Sequence, residues 1–130
     1  MLTKSGYAMN GSLFIDTNIA IYLLDGNEQI AELLHEQTIY VSFVTELELL
    51  SKPSITTHEE AQIKALLAQC IVIDFLPLAK ETIIAFRRQY RLKLPDAIVA
   101  STAYLVGLPL VTADKGFGRI DELTLLLVEP

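Results

Sequence analysis

Apolar and polar positions along the chain follow two rhythms. Short unbroken apolar runs occur at SLFI (12–15), TIYVS (38–42), CIVIDF (70–75), PLVTA (109–113) and TLLLVEP (124–130), and each is bounded by polar or turn-forming residues. Runs this short and this apolar read as strands buried on both faces. Between them, apolar residues recur at helical spacing in NIAIYLL, EQIAELLHE, FVTELELLSK, the stretch through LLAQ, and Leu78 to Leu92. Punctuation supports the division. Asp25-Gly26-Asn27 separates the first two helical patterns, Pro53 stops the third, and Thr56 and Thr57 stand three residues before Glu59 and Glu60 as capping boxes. Pro95 opens a last helix that runs to Gly107. Strands alternating with helices predict an α/β fold with a parallel sheet covered on both sides.

At 130 residues, with no repeat, low-complexity tract or Gly/Ser-rich linker, the chain is expected to form a single domain, 1–130. A hydrophobic content of 52% against 20% charged suggests more apolar surface than one small core hides, and hence a partner surface. The early helices, IAIYLL and IAELL, are the candidates. No apolar run reaches the ~18 residues of a membrane span, and MLTKSGYAMNG lacks the apolar block of a secretory signal, so a cytoplasmic protein with no membrane partner is expected. The lone Cys70 heads a strand and reads as an inert thiol; His35 and His58 lie in polar helical surroundings and share no zinc-ligand spacing with it.

The chemistry sits in the acids. In a parallel sheet, strand C-termini and helix N-termini emerge along one edge, where sites are built. Asp16 ends the first strand, Glu46 lies early in the helix after the second, Asp96 follows Pro95, and Asp114 follows the fourth strand, so all four are expected on that edge. Carboxylates that converge raise one another's pKa and stay ionised together only around a cation. An oxygen-only set on an open edge suits Mg²⁺ or Mn²⁺, an arrangement that can activate water and offset charge on a phosphodiester.

Each acid also has a plain structural reading. Asp96 and Glu46 could complement helix dipoles, Asp114 could be a turn residue, and Asp16 could cap the helix that follows it. A Ser or Thr would cap as well without burying a charge beside a core strand, so Asp16 is the hardest to explain structurally. Thr45-x-x-Glu48 makes a serviceable capping box, and on that ground Glu48 is expected to be structural.

Taken together, FIDTN, SFVTELELL, LPDAIVAS and LVTADKGF, in this order and at this spacing, resemble a PIN domain and in particular the VapC-type toxin ribonucleases. The similarity runs from about Ser12 to Val128. It implies a PIN-like three-layer sandwich with a central, mostly parallel five-stranded sheet. It further implies a Mg²⁺- or Mn²⁺-dependent endoribonuclease leaving 5′-phosphate and 3′-hydroxyl ends, usually dimeric and neutralised by an antitoxin protein. Position by position, Asp16, Glu46, Asp96 and Asp114 match the acidic quartet as metal ligands and catalytic residues. Asn18 matches the polar residue bracing the first acid, and Thr112 the hydroxyl residue two before the last. Similar proteins reach their first strand within a few residues, so residues 1–8 are expected to be a tag or an upstream start, with Met9 the natural one.

A net charge of −6 argues against a protein that binds nucleic acid by charge alone. Yet four of those charges would belong to the cation site itself. Six of the ten bases, Arg87, Arg88, Arg91, Lys93, Lys115 and Arg119, flank Asp96 and Asp114. Arg87, Arg91 and Lys115 are therefore candidate RNA contacts, although the arginines also suit the end of a helix. The alternatives are a catalytically silent PIN-like binding module and a nuclease acting on DNA. A phosphoacceptor domain using Asp74 or a haloacid-dehalogenase-like phosphatase would want a second acid where Thr17 and Asn18 stand.

Overall fold

A computed structural model describes residues 11–130; the expectation for residues 1–8 lies outside the described residues. Strands β1 (Ser12–Ile15), β2 (Thr38–Ser42), β3 (Ile71–Ile73), β4 (Leu110–Thr112) and β5 (Leu125–Leu127) form one sheet in the order β3-β2-β1-β4-β5. Every pairing is parallel, so the sheet is parallel throughout rather than mostly so. The helices are α1 (Thr17–Leu24), α2 (Glu28–Leu34), α3 (Phe43–Leu50), α4 (Thr57–Ala68), α5 (Lys80–Tyr90) and α6 (Leu94–Val106), with 3-10 turns at Pro77–Ala79 and Lys115–Arg119.

Period-two alternation divides the central strand between two cores. Phe14 packs with Val44, Ile83, Phe86 and Val99 on the α5–α6 side. Leu13 and Ile15 pack with Ile19, Ile30, Leu49 and Ile63 on the side of α1, α2 and α4. Two cores around a doubly covered sheet account for much of the apolar content. On α2, Ile30 and Leu34 are buried, so IAELL does not supply the open face expected of it. Apolar exposure is greatest elsewhere, at Leu78 (82%) and Leu47 (58%). An apolar hollow of about 390 Å³ does lie beside α1, but Ile21 and Leu24 share it with Leu49, Ile55 and Ile63 of α3, α4 and the loop between them. Among the described residues no helix is long and apolar enough to cross a membrane.

Local signals fix the element ends. Thr56 and Glu59 form the reciprocal capping box, and Lys52 Nζ meets Glu59 Oε2 at 3.2 Å. The last turn of α6 closes on Gly107 at φ +73°, whose N–H donates to Tyr104 O at 3.1 Å. An added Cβ there would meet nothing within 4 Å, so Gly107→Ala isolates the backbone cost of the left-handed region. That cost is about 1 kcal/mol, and thermal melting should fall by roughly 3–6 °C; an unchanged midpoint would mean that α6 ends differently. Arg91 ends α5 in the same left-handed region, at φ 55°, without glycine's freedom.

Candidate active site

In the observed strand order, β1 and β4 are neighbours at the centre of the sheet, and the chain leaves them toward opposite flanks. This is the switch point at which α/β sheets open a crevice beyond their strand ends. Asp16 leaves β1 there and Asp114 follows β4. Asp96 enters from the first turn of α6, set by Pro95 at its start. Asp16, Asp96 and Asp114 line one pocket of about 150 Å³ together with Thr17, Asn18 and Phe117.

The fourth acid in that pocket is Glu48, not Glu46. The N-cap of α3 is Ser42, whose Oγ accepts from Val44 N at 3.1 Å, so Thr45 is not a capping residue. Thr45 lies inside the helix and buried, on the side facing α1, and Glu48 follows it one turn later. Thr17 Oγ1 joins the two: it donates to Glu48 Oε1 at 2.5 Å and lies 3.0 Å from Thr45 Oγ1. Glu46, two residues away and so about 200° around the helix, is half-buried outside this pocket. The reading of Glu48 as a structural cap is corrected on this geometry, and Glu46 lies outside the pocket that the other three acids line. The usable signal is Ser42, a capping residue at the very end of an apolar strand, which fixes where α3 begins.

Asp16 both caps α1 and lines the pocket. Its Oδ1 accepts from Ile19 N at 3.0 Å, which caps α1, and its Oδ2 accepts from the Thr112 hydroxyl. Thr112 Oγ1 in turn accepts from Asp114 N at 3.0 Å, so one buried threonine ties the two strand-end acids together. Asn18 lines the pocket as an exposed side chain, while the groups that hold Asp16 are Ile19 N and Thr112. Asp114 Oδ1 accepts from Gly116 N at 2.8 Å, and a Cβ on Gly116 would come within 3.0 Å of that oxygen.

Burial pushes the Asp16 carboxyl above the usual carboxylate range, against the two hydrogen bonds that favour its charge, and Asp114 and Asp96 add to the rise. Asp96 is also raised, by burial first and then by Asp114 and Glu48, with Lys93 opposing. Asp16 and Asp96 thus sit in one unfavourable field. Among the described residues no three His, Cys, Asp or Glu side chains are gathered tightly enough to hold a metal ion; the four carboxylates border the pocket without meeting at a point. Their chemistry still suits a hard divalent cation: the donors are all oxygen, and the charge is negative, partly desolvated and self-repelling.

Of the proposed RNA contacts, Arg87 and Arg91 border a hollow of about 430 Å³ beyond the end of α5, whereas Lys115 is exposed and borders neither this hollow nor the acidic pocket. His35 and His58 are exposed as expected, and burial raises the pKa of the half-buried Cys70 thiol.

The sequence profile of the PIN domain family matches residues 13–123. The chain belongs to the PIN domain family. Comparison with curated proteins gives no match. Among solved structures, a chain of a toxin-antitoxin complex from Klebsiella pneumoniae is similar at 30% identity and a TM-score of 0.76, over 85% of this chain and 94% of that one. A chain of VapBC2 from Rickettsia felis, bound to a DNA fragment from its promoter, aligns at 24% identity and TM-score 0.77 over 91% and 99%. VapBC-1 from nontypeable Haemophilus influenzae aligns at 22% and 0.74 over 89% and 97%. The last two show a shared PIN architecture. Family membership supports nuclease chemistry.

Proposed function

We propose that the protein is a Mg²⁺- or Mn²⁺-dependent endoribonuclease, the toxin of a toxin-antitoxin pair, acting as a homodimer and restrained by a cognate antitoxin protein. The observation that carries the reading is that Asp16, Glu48, Asp96 and Asp114 border one pocket at the β1–β4 switch point. The toxin role is supported by the 30% identical Klebsiella pneumoniae chain, which comes from a toxin-antitoxin complex.

Asp16, Asp96 and Asp114 would hold the cation, with Glu48 beside them. When bound, the cation supplies positive charge against the phosphodiester and increases the acidity of water. The residues supply position. Ile19 N and Thr112 fix the Asp16 carboxylate, and the Gly116 N–H holds Asp114. Thr17 orients Glu48 so that it accepts a proton from the attacking water. As the water oxygen bonds to phosphorus, the P–O3′ bond breaks, and the departing 3′ oxygen takes a proton from solvent.

Incubation of the purified protein with single-stranded RNA or with DNA of the same sequence, in Mg²⁺ or in EDTA, tests this reading. Internal cleavage of RNA in Mg²⁺ alone is expected. Cleavage confined to DNA would replace the substrate, and no cleavage of either would favour a silent binding module.

A further inference from the structure

We infer that the acidic pocket is the end of a basic track for one strand of nucleic acid, in which Arg88 and Arg91 hold backbone phosphates on one side of the bond to be cut. The inference rests on the nuclease reading and adds the path by which substrate reaches the site.

Three hollows adjoin along the surface. The first is bordered by Ile84, Arg87, Arg88, Arg91 and Leu92, and contains no acid, in a chain whose net charge is −6. The second, of about 170 Å³, shares Arg91 and Leu92 with the first and adds Lys93 and Arg119. Asp96, Asp114 and Phe117 belong both to the second hollow and to the acidic pocket. A continuous surface therefore runs from three guanidiniums, past Lys93 and Arg119, to the carboxylates.

Among the described residues none of these five bases forms a salt bridge; those present join His35 to Glu36, Lys52 to Glu59 and Lys64 to Glu60. Unpaired cations gathered around a concave surface fit a polyanion, and arginine is suited to phosphate. Arg87 is already oriented, its Nε donating to Leu92 O at 3.2 Å. The Tyr90 hydroxyl donates to Glu122 Oε1 at 2.5 Å and ties the end of α5 to the loop after the Lys115–Arg119 turn, which keeps Arg91 and Arg119 on the same track.

Arg91 provides the most pointed sign. It occupies the left-handed helix-terminal position where glycine is the unstrained choice, and it is the cation at the junction of the first two hollows. The second hollow and the acidic pocket are small, about 170 and 150 Å³, and a single flexible strand can bend its backbone into them where a duplex holds its phosphates on a rigid helix.

The test uses Arg88→Ala combined with Arg91→Gly. Arg88 is exposed, and glycine suits the backbone at 91, so the pair removes two charges without disturbing the hydrogen bond from Arg87 to Leu92. Binding of a fluorescent 12-nucleotide single-stranded RNA is measured by anisotropy in EDTA across a salt series. The variant should bind about tenfold more weakly, and its slope of log affinity against log salt should be shallower by roughly 0.7 for each phosphate that is no longer neutralised. An unchanged affinity and slope would overturn the track; equal or tighter binding of the corresponding duplex by the intact protein would overturn its restriction to one strand. In EDTA the variant should melt at or above the temperature of the intact protein, because glycine relieves the left-handed backbone at 91. A variant that melts several degrees lower would show that the arginines serve the fold rather than a track, and would also overturn the proposal. Failure of the intact protein to cut any RNA would instead count against the nuclease reading, since the binding arm is independent of cleavage.

Discussion

Asp16→Asn is expected to abolish cleavage and, in EDTA, to make the protein melt at a higher temperature. The two effects share one cause. Asp16 is 6% exposed, next to Asp96 and Asp114, and burial outweighs both hydrogen bonds that favour its charged form. Asparagine keeps an oxygen for the Ile19 N–H, so the cap on α1 survives. What disappears is a buried charge with like-charged neighbours and no cationic partner, a net cost to the fold. The gain should be a few degrees in melting temperature, the scale of roughly 1 kcal/mol for a domain this size. Losing several kcal/mol of charge-dependent stabilisation in the transition state corresponds to a rate at least roughly a thousandfold lower. Adding Mg²⁺ should raise the melting temperature of the intact protein by mass action and leave the variant nearly unmoved. Undiminished cleavage by the variant would remove Asp16 from the chemistry. A lower melting temperature in EDTA would mean that its hydrogen bonds outweigh its burial after all.

The expected opposition between stability and function makes Asp16 the most legible candidate in the sequence. A charge directly after Leu13, Phe14 and Ile15 breaks the local hydrophobic pattern, and such inconsistencies concentrate at functional positions. The α/β alternation, the Thr56–Glu59 box and the start of α6 beside Pro95 are legible for the same reason: propensity, capping and periodicity are local and agree. Strand order is not local. No feature of SLFI or PLVTA alone says that β1 lies beside β4, and the convergence of Asp16 with Asp114 depends on that adjacency. The apolar excess was legible as an amount but not as a place. Ile30 and Leu34 disappear into the core, and Leu78 and Leu47 emerge instead, because which face of a helix is covered depends on the layer it packs against.

The second large effect separates Glu48 from Glu46. Glu48→Gln should lower kcat by roughly a hundredfold, the low end for removal of a general base, with KM little changed. Glu46→Gln should stay within about twofold, as expected of a residue that does not reach the transition state. Both acids lie on α3 and carry the same charge, so a purely long-range electrostatic role would give similar losses in the two variants. Contact decides otherwise. Only Glu48 borders the pocket, receives the Thr17 hydroxyl at 2.5 Å, and lies near enough to Asp96 to raise its pKa. The start of α3 is what concealed this residue in the sequence. With Thr45 taken as the cap, Glu48 becomes its capping partner; with Ser42 as the cap, Thr45 and Glu48 share the face toward α1. Thr17→Val, which removes the donor to Glu48 at nearly constant volume, should fall between the two glutamine variants, because the carboxylate stays but is no longer held. A large loss in Glu46→Gln with near-normal turnover in Glu48→Gln would return the fourth acid to position 46, and α3 would then have to present its other side to the substrate.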